Sequence, residues 1–272
     1  MTNETTMRPR ALITGASAGI GAAFAARLAR DGHDLIIVAR RRERLDELAR
    51  ELRVSAGVAV EVVAADLSQH ADRLALEQRI AADDALALLI NNAGFGGYMP
   101  FVTLEPDRAE ELINVQVLAV TRLTRAALPG MIARGRGAII NVSSRLAFSG
   151  AAAAPQLPKR AVYAATKAYI NTFTQILRDE LQGTGVQVQA LCPGVVRTEF
   201  HLRMGMDPSR FPAEMVMSPA DVVQASLKGL QLGEVICIPA LEDPSVLTQI
   251  EENQRRAMGQ SNSGAIAKRY HE

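Results

Sequence analysis

This sequence lacks several features that mark common protein classes. Its 272 residues include no tryptophan, only 4% aromatic residues and two cysteines, Cys192 and Cys237. Both cysteines lie in apolar runs without the spacing of metal ligands, which favours buried thiols in a reduced compartment over a disulfide framework. The four histidines are not paired at metal spacing either. The sequence therefore predicts no metal site.

Neither charge nor hydropathy favours a nucleic acid or a membrane as the partner. Thirty basic and 29 acidic residues leave a formal charge of +1, which gives no general attraction to a polyanion. No run reaches the ~18 apolar residues of a membrane span, and residues 1–10 lack the apolar core of a secretory signal. We expect a cytoplasmic protein that acts on a small molecule.

Apolar runs rich in valine and isoleucine alternate with stretches of helical periodicity, such as Arg41–Arg53 and Pro106–Ile132. This alternation predicts an α/β fold, a doubly wound parallel sheet of about seven strands with helices on both faces. Without a repeat or linker, we expect a single domain over 1–272, with a core at 8–197 and a polar tail at 251–272. The predicted strands are Ala11–Ile13, Asp34–Ala39, Val58–Val63, Leu86–Ile90, Gly137–Val142, Val186–Leu191 and Val235–Ile238.

A glycine-rich turn follows the first predicted strand and opens a helix of small residues. Its three glycines let the backbone turn tightly and approach a pyrophosphate, whose charge is favoured by free amides at a helix start. The strand-to-helix position is the context that such a motif needs. The sequence therefore predicts a dinucleotide-phosphate site formed by Gly15, Ser17, Ala18, Gly19, Ile20 and Gly21.

The residues after the second strand bear on which dinucleotide binds. About twenty residues past a glycine loop, an acid binds a ribose 2′-hydroxyl and an arginine a 2′-phosphate. Here Arg40 occupies that position, and no acid occurs before Glu43. A guanidinium matches a phosphate bidentately, and Ser17 adds a hydroxyl. We predict NADP(H) as the cofactor; the alternative is a solvated basic first turn of the next helix.

Two further strand ends carry polar residues where ligands bind in such a sheet. Asp66 and Leu67 follow strand three and suit an adenine contact. Asn92, Ala93 and Gly94 follow strand four, directly after Asn91, and predict a polar turn against the cofactor. Simple turn chemistry is an alternative for both segments.

Tyr163 and Lys167 are four residues apart and therefore share one helical face. This spacing also occurs on solvated helices, so it is informative only beside the dinucleotide site. The charge of Lys167, with the further positive field of an oxidised nicotinamide ring, is expected to lower the pKa of Tyr163 from ~10 toward ~7, where a phenol works as a general acid and base. The pair indicates hydride transfer coupled to proton transfer.

Together these residues resemble the short-chain dehydrogenase/reductase family over about residues 8 to 240. The motifs Thr14–Gly21, Asn91–Gly94 and Tyr163–Lys167 occur in the family's order. The resemblance implies a Rossmann-type sheet, an NADP preference and assembly as a homodimer or homotetramer. It also implies four site assignments: Asn114 as a catalytic asparagine that anchors a water, Ser144 as a catalytic serine, Lys167 as a contact of the nicotinamide ribose, and a nicotinamide loop with Pro193, Gly194, Val196 and Thr198.

The position of the serine departs from the family pattern. The family's serine usually lies about thirteen residues before the tyrosine, whereas Ser144 lies nineteen before Tyr163. Spacing alone favours Ser149. Because a hydrogen-bond donor needs rigid support, we favour Ser144 at the end of a strand over Ser149 in a glycine-containing loop.

The expected function is hydride transfer between NADP(H) and a carbonyl or secondary alcohol of a small apolar substrate. The segment 198–217 contains Met204, Met206, Met215 and Met217 and is predicted to be a substrate lid; ordinary packing is the alternative. Two other functions remain open. One is an acyl-thioester ketoreductase with a carrier face at Arg122, Arg125, Arg134 and Arg136, and the other is a non-catalytic dinucleotide-binding regulator.

Overall fold

The computed structural model describes residues 8–150, 157–202, 204 and 211–271. The chain forms two compact units, which divide between Pro239 and Ala240. The second unit contains the helix at Ser245–Gln260, and residues 251–271 are exposed throughout. The sequence predicts one domain with a polar tail, so the structure adds a division just ahead of that tail.

The larger unit is built on a parallel sheet. Its strands are β1 (Arg10–Thr14), β2 (Asp34–Ala39), β3 (Val60–Ala64), β4 (Leu86–Asn91), β5 (Gly137–Val142), β6 (Val186–Leu191), β7 (Val195–Val196), β8 (Val216–Met217) and β9 (Ile236–Cys237). Among the described residues, seven strands form one sheet in the order β3-β2-β1-β4-β5-β6-β9, and β7 pairs with β8. Every pairing in the main sheet is parallel. The predicted doubly wound fold is confirmed.

The predicted strand ends needed small corrections. Strand three begins at Val60 rather than Val58, and the last strand is Ile236–Cys237 rather than Val235–Ile238. Val58 is buried, with 4% of its surface exposed, but it lies outside the paired residues of β3. Its apolar character therefore reflects burial and not strand pairing.

Helices cover both faces of the sheet. In this unit they are α1 (Gly19–Arg30), α2 (Arg42–Ala56), α3 (His70–Ala81), α4 (Pro106–Ile113), α5 (Ala119–Ala133), α6 (Ala161–Glu180), α7 (Glu199–Leu202) and α8 (Pro219–Gln231); the second unit contains α9 (Ser245–Gln260). Alternate residues of β1 face opposite ways: Ile13 packs with Phe24 of α1 on one face, and Leu12 packs with Leu76 of α3 on the other. Each face thus has its own apolar core. Within the described residues, every helix is too short or too polar to cross a membrane.

The helix predicted over Pro106–Ile132 is interrupted. Residues Asn114–Leu118 form a π-helical turn between α4 and α5, and the amide of Ala119 donates to the carbonyl of Asn114. A π turn inserts one residue into a helix and frequently occurs at functional sites. The irregularity therefore begins at a residue that the sequence selected as catalytic.

Candidate active site

A cleft of about 330 Å³ lies at the carboxyl ends of the strands. This is where a doubly wound sheet binds its ligands. The structure brings nearly all predicted site residues together there and leaves two, Gly21 and Asn114, outside the lining. The predicted residues that line the cleft are Gly15, Ser17, Ala18, Gly19, Ile20, Arg40, Asp66, Leu67, Asn92, Ala93, Gly94, Ser144, Tyr163, Lys167, Pro193, Gly194, Val196 and Thr198.

The glycine turn has the close backbone packing that its sequence requires. Gly15 has φ of +69°, and a Cβ there would lie 2.8 Å from the side chain of Asn92. A Cβ at Gly21 would lie 2.4 Å from the carbonyl oxygen of Gly15. Gly21 therefore packs the helix against the turn and lies outside the lining of the cleft, and its contact with the cofactor stays a prediction.

The start of α1 suits an anion. No described side chain caps this helix at Ala18, so the first amide groups keep their hydrogen-bonding capacity. These amides and the positive end of the helix dipole favour phosphate. The turn therefore fits the pyrophosphate of a dinucleotide.

The Asn91–Gly94 turn holds the glycine turn in place. The amides of Asn92 and Ala93 both donate to Thr14 Oγ1 at 3.0 Å, and Asn92 Nδ2 donates to the Thr14 carbonyl at 2.9 Å. Asn91 Nδ2 donates to Asn141 Oδ1 at 2.9 Å across neighbouring strands. The two asparagines thus connect three strand ends before any ligand is considered.

Asp66 forms the turn that the alternative interpretation describes. Its Oδ1 accepts from the amide and the hydroxyl of Ser68, at 3.0 and 2.8 Å. Asp66 and Leu67 still line the cleft. Turn formation and an adenine contact are therefore compatible at this strand end.

The arginines after β2 are arranged differently from the prediction. Arg40 lies near Glu111 and Asp66, with N–O distances of 3.4 and 3.8 Å. Arg41, which also lines the cleft, donates from Nη2 and Nε to Ser17 Oγ at 2.9 and 3.2 Å. The arginine next to Ser17 is therefore Arg41 and not Arg40.

Arg41 also takes part in an ion pair that the sequence did not predict. Its Nη1 donates to Glu199 Oε2 at 2.9 Å, and Arg44 donates to the other carboxylate oxygen. Hydrogen bonds from Arg44 and Arg41 lower the pKa of Glu199 to about 2. Glu199 is 158 residues from Arg41, and sequence spacing gave no signal for this contact.

Tyr163 and Lys167 lie at the buried end of the cleft, with 4% and 5% of their surfaces exposed. Lys167 Nζ donates to the carbonyl of Val142 at 2.9 Å and lies 5.6 Å from the centre of the Tyr163 ring. The helical spacing thus brings the two side chains into one site, as the sequence predicted.

Without a cofactor, the surroundings of Tyr163 favour its protonated form, and the pKa of ~7 expected with Lys167 and an oxidised nicotinamide ring stays a prediction. Burial, followed by the neighbouring Tyr98 hydroxyl, raises the pKa of Tyr163 well above its usual value, although Ser144 acts in the opposite direction. Burial also lowers the pKa of Lys167 to about 7. Because the ammonium is itself destabilised by burial, it does not overcome the desolvation of the phenolate.

Ser144 and Ser149 differ in their surroundings. Ser144 lies two residues after β5, has 7% of its surface exposed and acts to lower the pKa of Tyr163. Its Oγ also accepts from the amide of Leu146 at 3.1 Å. Ser149 donates to the Leu146 carbonyl at 2.7 Å and accepts from Arg160 Nε at 2.9 Å. The geometry favours Ser144, because the hydroxyl of Ser149 is engaged in its own loop.

Asn114 points to a neighbour on its own helix. Its Nδ2 donates to Glu110 Oε1 at 3.4 Å. A π turn begins at Asn114, and the next residue, Val115, lines the cleft. The structure thus connects Asn114 to the site through the helix backbone.

The predicted lid is described only in part, because Met206 and its neighbours at 203 and 205–210 lie outside the described residues. Thr198 lines the cleft and accepts the Phe200 amide at 3.2 Å, which caps the start of α7. Met204 also lines the cleft and contacts Gly96, where a Cβ would overlap its sulfur. Met217 instead pairs with Val196. The lid remains a prediction.

Sequence reasoning missed an aromatic cluster at the buried end. The rings of Tyr98 and Tyr163 lie 5.0 Å apart, and the ring of Phe200 lies 6.3 and 6.1 Å from them. Burial raises the pKa of Tyr98 to about 12. The available signal was position alone, since Tyr98 follows the β4 strand end and Phe200 follows Thr198.

This chain is similar in sequence and in fold to known proteins. Residues 9–207 match the short chain dehydrogenase family. A short-chain dehydrogenase from Sphingobium yanoikuyae, solved in complex with NADPH, is 40% identical with a TM-score of 0.90, over 97% of this chain and 100% of that chain. A bulky-bulky ketone specific alcohol dehydrogenase from Comamonas testosteroni is 35% identical with a TM-score of 0.87, over 97% and 99%.

A third similar protein is a reductase. The very-long-chain 3-oxoacyl-CoA reductase of Anas platyrhynchos is 32% identical over 238 residues, which cover 84% of this chain and 72% of that protein. The motifs, the parallel sheet and these matches agree. The chain belongs to the short-chain dehydrogenase family of oxidoreductases.

Proposed function

We propose that this protein is an NADP(H)-dependent oxidoreductase that interconverts a carbonyl and a secondary alcohol on a bulky apolar substrate. The observation that carries the proposal is the single cleft with phosphate-binding geometry at one end and Tyr163, Ser144 and Lys167 at the other. A dinucleotide held by both ends would have its redox ring beside Tyr163. When bound, the nicotinamide donates or accepts the hydride.

The cofactor assignment rests on the groups near the glycine turn. Uncapped amides suit the pyrophosphate, and Arg41 with Ser17 offers a guanidinium and a hydroxyl to a 2′-phosphate. Arg44 lies within reach of the same carboxylate as Arg41 and adds a second positive charge. The similar Sphingobium protein was solved with NADPH, which supports the same cofactor here.

The proton chemistry is assigned to Tyr163. Burial raises its pKa, so the free enzyme holds Tyr163 protonated at neutral pH. A protonated phenol can donate to the carbonyl oxygen in reduction and, as phenolate, accept the proton in oxidation. The Ser144 hydroxyl donates a hydrogen bond to the substrate oxygen in the manner of an oxyanion donor.

The substrate class follows from the walls of the buried end. Tyr98, Phe200, Phe95 and Met204 line it beside Tyr163. Aromatic rings and a flexible thioether favour an apolar substrate of irregular shape. The similarity to an alcohol dehydrogenase specific for ketones with two bulky groups supports a ketone with substituents on both sides.

The test is oxidation of NADPH and of NADH with a panel of aryl ketones, ketosteroids, aliphatic aldehydes and sugar-like carbonyls. We expect the highest kcat/KM for a bulky ketone with NADPH. Tyr163→Phe should lower kcat/KM by about 10²–10⁴-fold, the range for a lost acid-base group, while still binding NADPH. Tight NADPH binding without turnover on any carbonyl would favour the non-catalytic regulator.

A 3-oxoacyl thioester is a second candidate substrate, favoured by the similarity to the Anas platyrhynchos reductase. The basic carrier face predicted from the sequence is partly engaged, however. Arg122 pairs with Glu77, and Arg134 donates to the Leu86 carbonyl at 2.7 Å. Adding a 3-oxoacyl-CoA and the same acyl group on a carrier protein to the panel separates these cases, since activity confined to thioesters would replace the ketone proposal.

A further inference from the structure

Glu199 shares its carboxylate between two arginines from a distant part of the sequence. Arg41 Nη1 donates to Glu199 Oε2 at 2.9 Å, and Arg44 donates to Oε1. Arg41 also donates to Ser17 Oγ from Nη2 and Nε. One carboxylate therefore occupies donors of both guanidinium groups beside the glycine turn.

The same donors suit the 2′-phosphate of the cofactor, so this inference rests on the proposed use of NADP(H). Guanidinium groups bind carboxylate and phosphate with the same paired geometry. Hydrogen bonds from Arg44 and Arg41 hold the pKa of Glu199 at about 2, which keeps the carboxylate charged at neutral pH. A 2′-phosphate and Glu199 are therefore competing anions for Arg41 and Arg44.

A role in holding the fold together explains the contact less well. The side chains of Arg41 and Glu199 are 30% and 38% exposed, and exposed ion pairs add little to stability. Both residues also line the cleft. The ion pair between Arg41 and Glu199 therefore lies in the cleft that the proposed cofactor would occupy.

We propose that Glu199 is a specificity-determining residue that competes with the 2′-phosphate for Arg41 and Arg44. The cofactor must displace the carboxylate from the arginines, whereas a nucleotide without the phosphate leaves the ion pair intact. Glu199 thereby lowers the advantage of NADP(H) over NAD(H) below what the arginines alone provide.

The experiment measures binding to the protein without cofactor, by calorimetry, with two probes that differ only in the 2′-phosphate: adenosine 2′,5′-bisphosphate and 5′-AMP. Glu199→Gln keeps the size of the side chain and removes its charge. We expect about three- to tenfold tighter binding of the bisphosphate, the effect of two exposed ion pairs. Binding of 5′-AMP should change by less than about twofold.

Asp46→Asn is the matched control. Asp46 lies on α2 and pairs with Arg42 at 3.1 Å, so the variant removes one negative charge near the site but leaves the Glu199 contacts intact. It should change bisphosphate binding by less than about twofold. An equal gain in Asp46→Asn would identify a general effect of charge and overturn the proposal.

Two other results would each contradict one of the proposals. Weaker bisphosphate binding by Glu199→Gln would show that the carboxylate orients the arginines for the phosphate, which also overturns the proposal. Failure of both the wild-type protein and Glu199→Gln to prefer the bisphosphate over 5′-AMP would instead contradict the proposed NADP(H) use. The two failures are therefore distinguished by measuring both probes with both proteins.

Discussion

The two ends of the cleft are governed by different electrostatics. At the catalytic end, burial keeps Tyr163 protonated and lowers the pKa of Lys167 to about 7. At the phosphate end, Arg41 and Glu199 are about one-third exposed, and each already has a partner of opposite charge. Desolvation thus controls protonation at one end, and competition between anions controls binding at the other. Substitutions at the Tyr163 end are therefore expected to lower kcat, and substitutions at the Arg41 end are expected to change the affinity for the cofactor.

After Tyr163, Ser144 gives the largest expected effect in this cleft. Ser144→Ala removes a hydroxyl that acts to lower the pKa of Tyr163, and loss of an oxyanion-type donor costs about 10²–10³ in kcat. Ser149→Ala is the matched control, because Ser149 bonds Leu146 and Arg160. Steady-state kinetics with NADPH and the best ketone measure both variants. A larger loss of kcat/KM for Ser149→Ala would reverse the assignment of the serine.

Arg41 tests the phosphate end. Arg41→Gln should raise the Kd for NADPH by about 10- to 100-fold, since a hydrogen bond to a charged group contributes ~1.5–3 kcal/mol. The Kd for NADH should stay nearly unchanged. Arg42→Gln is the control, because Arg42 is the next residue and pairs with Asp46. Equal losses for NADPH and NADH would contradict a contact with the 2′-phosphate.

Lys167 tests the cost of burial at the catalytic end. The pKa of Lys167 is near 7 in the folded protein and 10.5 in the unfolded chain, so between these pH values the folded protein binds fewer protons than the unfolded chain. Buried Lys167 therefore lowers the free energy of unfolding most below pH 7, and this loss of stability disappears as the pH rises toward 10.5. Lys167→Met should therefore melt about 2–4 °C above the wild type at pH 6 without cofactor, with a smaller difference at pH 9.

The control for this comparison is Lys228→Met, at an exposed position on α8. Thermal melts of the three proteins across pH provide the measurement, and kinetics check that Lys167→Met has lost activity. A melting temperature of Lys167→Met below that of the wild type at pH 6 would show that the charged ammonium is well solvated or paired in the fold.

Tyr98 gives the smallest expected effect. Its hydroxyl contributes to the raised pKa of Tyr163, so Tyr98→Phe should shift the pH dependence of alcohol oxidation to lower pH while the ring packing remains. Tyr169→Phe serves as the control, since the Tyr169 hydroxyl bonds Thr121 away from the cleft. An unchanged pH profile for Tyr98→Phe would limit Tyr98 to packing against the substrate.

The sequence predicted the elements that depend on local patterns. Alternation of apolar runs gave the sheet, and the spacing of Tyr163 and Lys167 gave one helical face. The sequence did not predict which of the adjacent residues Arg40 and Arg41 contacts Ser17, because both follow the same strand and both line the cleft. Contacts between distant segments, such as Arg41 with Glu199, have no local signal. The raised pKa of Tyr163 in the protein without cofactor had no local signal either, since burial depends on the packing of the whole site.

Transfer of deuterium tests the central claim most directly. The protein is incubated with a bulky aryl ketone and NADPH that carries deuterium in the transferable C4 position, and the alcohol is analysed by mass spectrometry and NMR. The account predicts one deuterium on the carbinol carbon with the wild type and almost none in the same time with Tyr163→Phe. Alcohol formed without deuterium on that carbon, or equal turnover by both proteins, would contradict it.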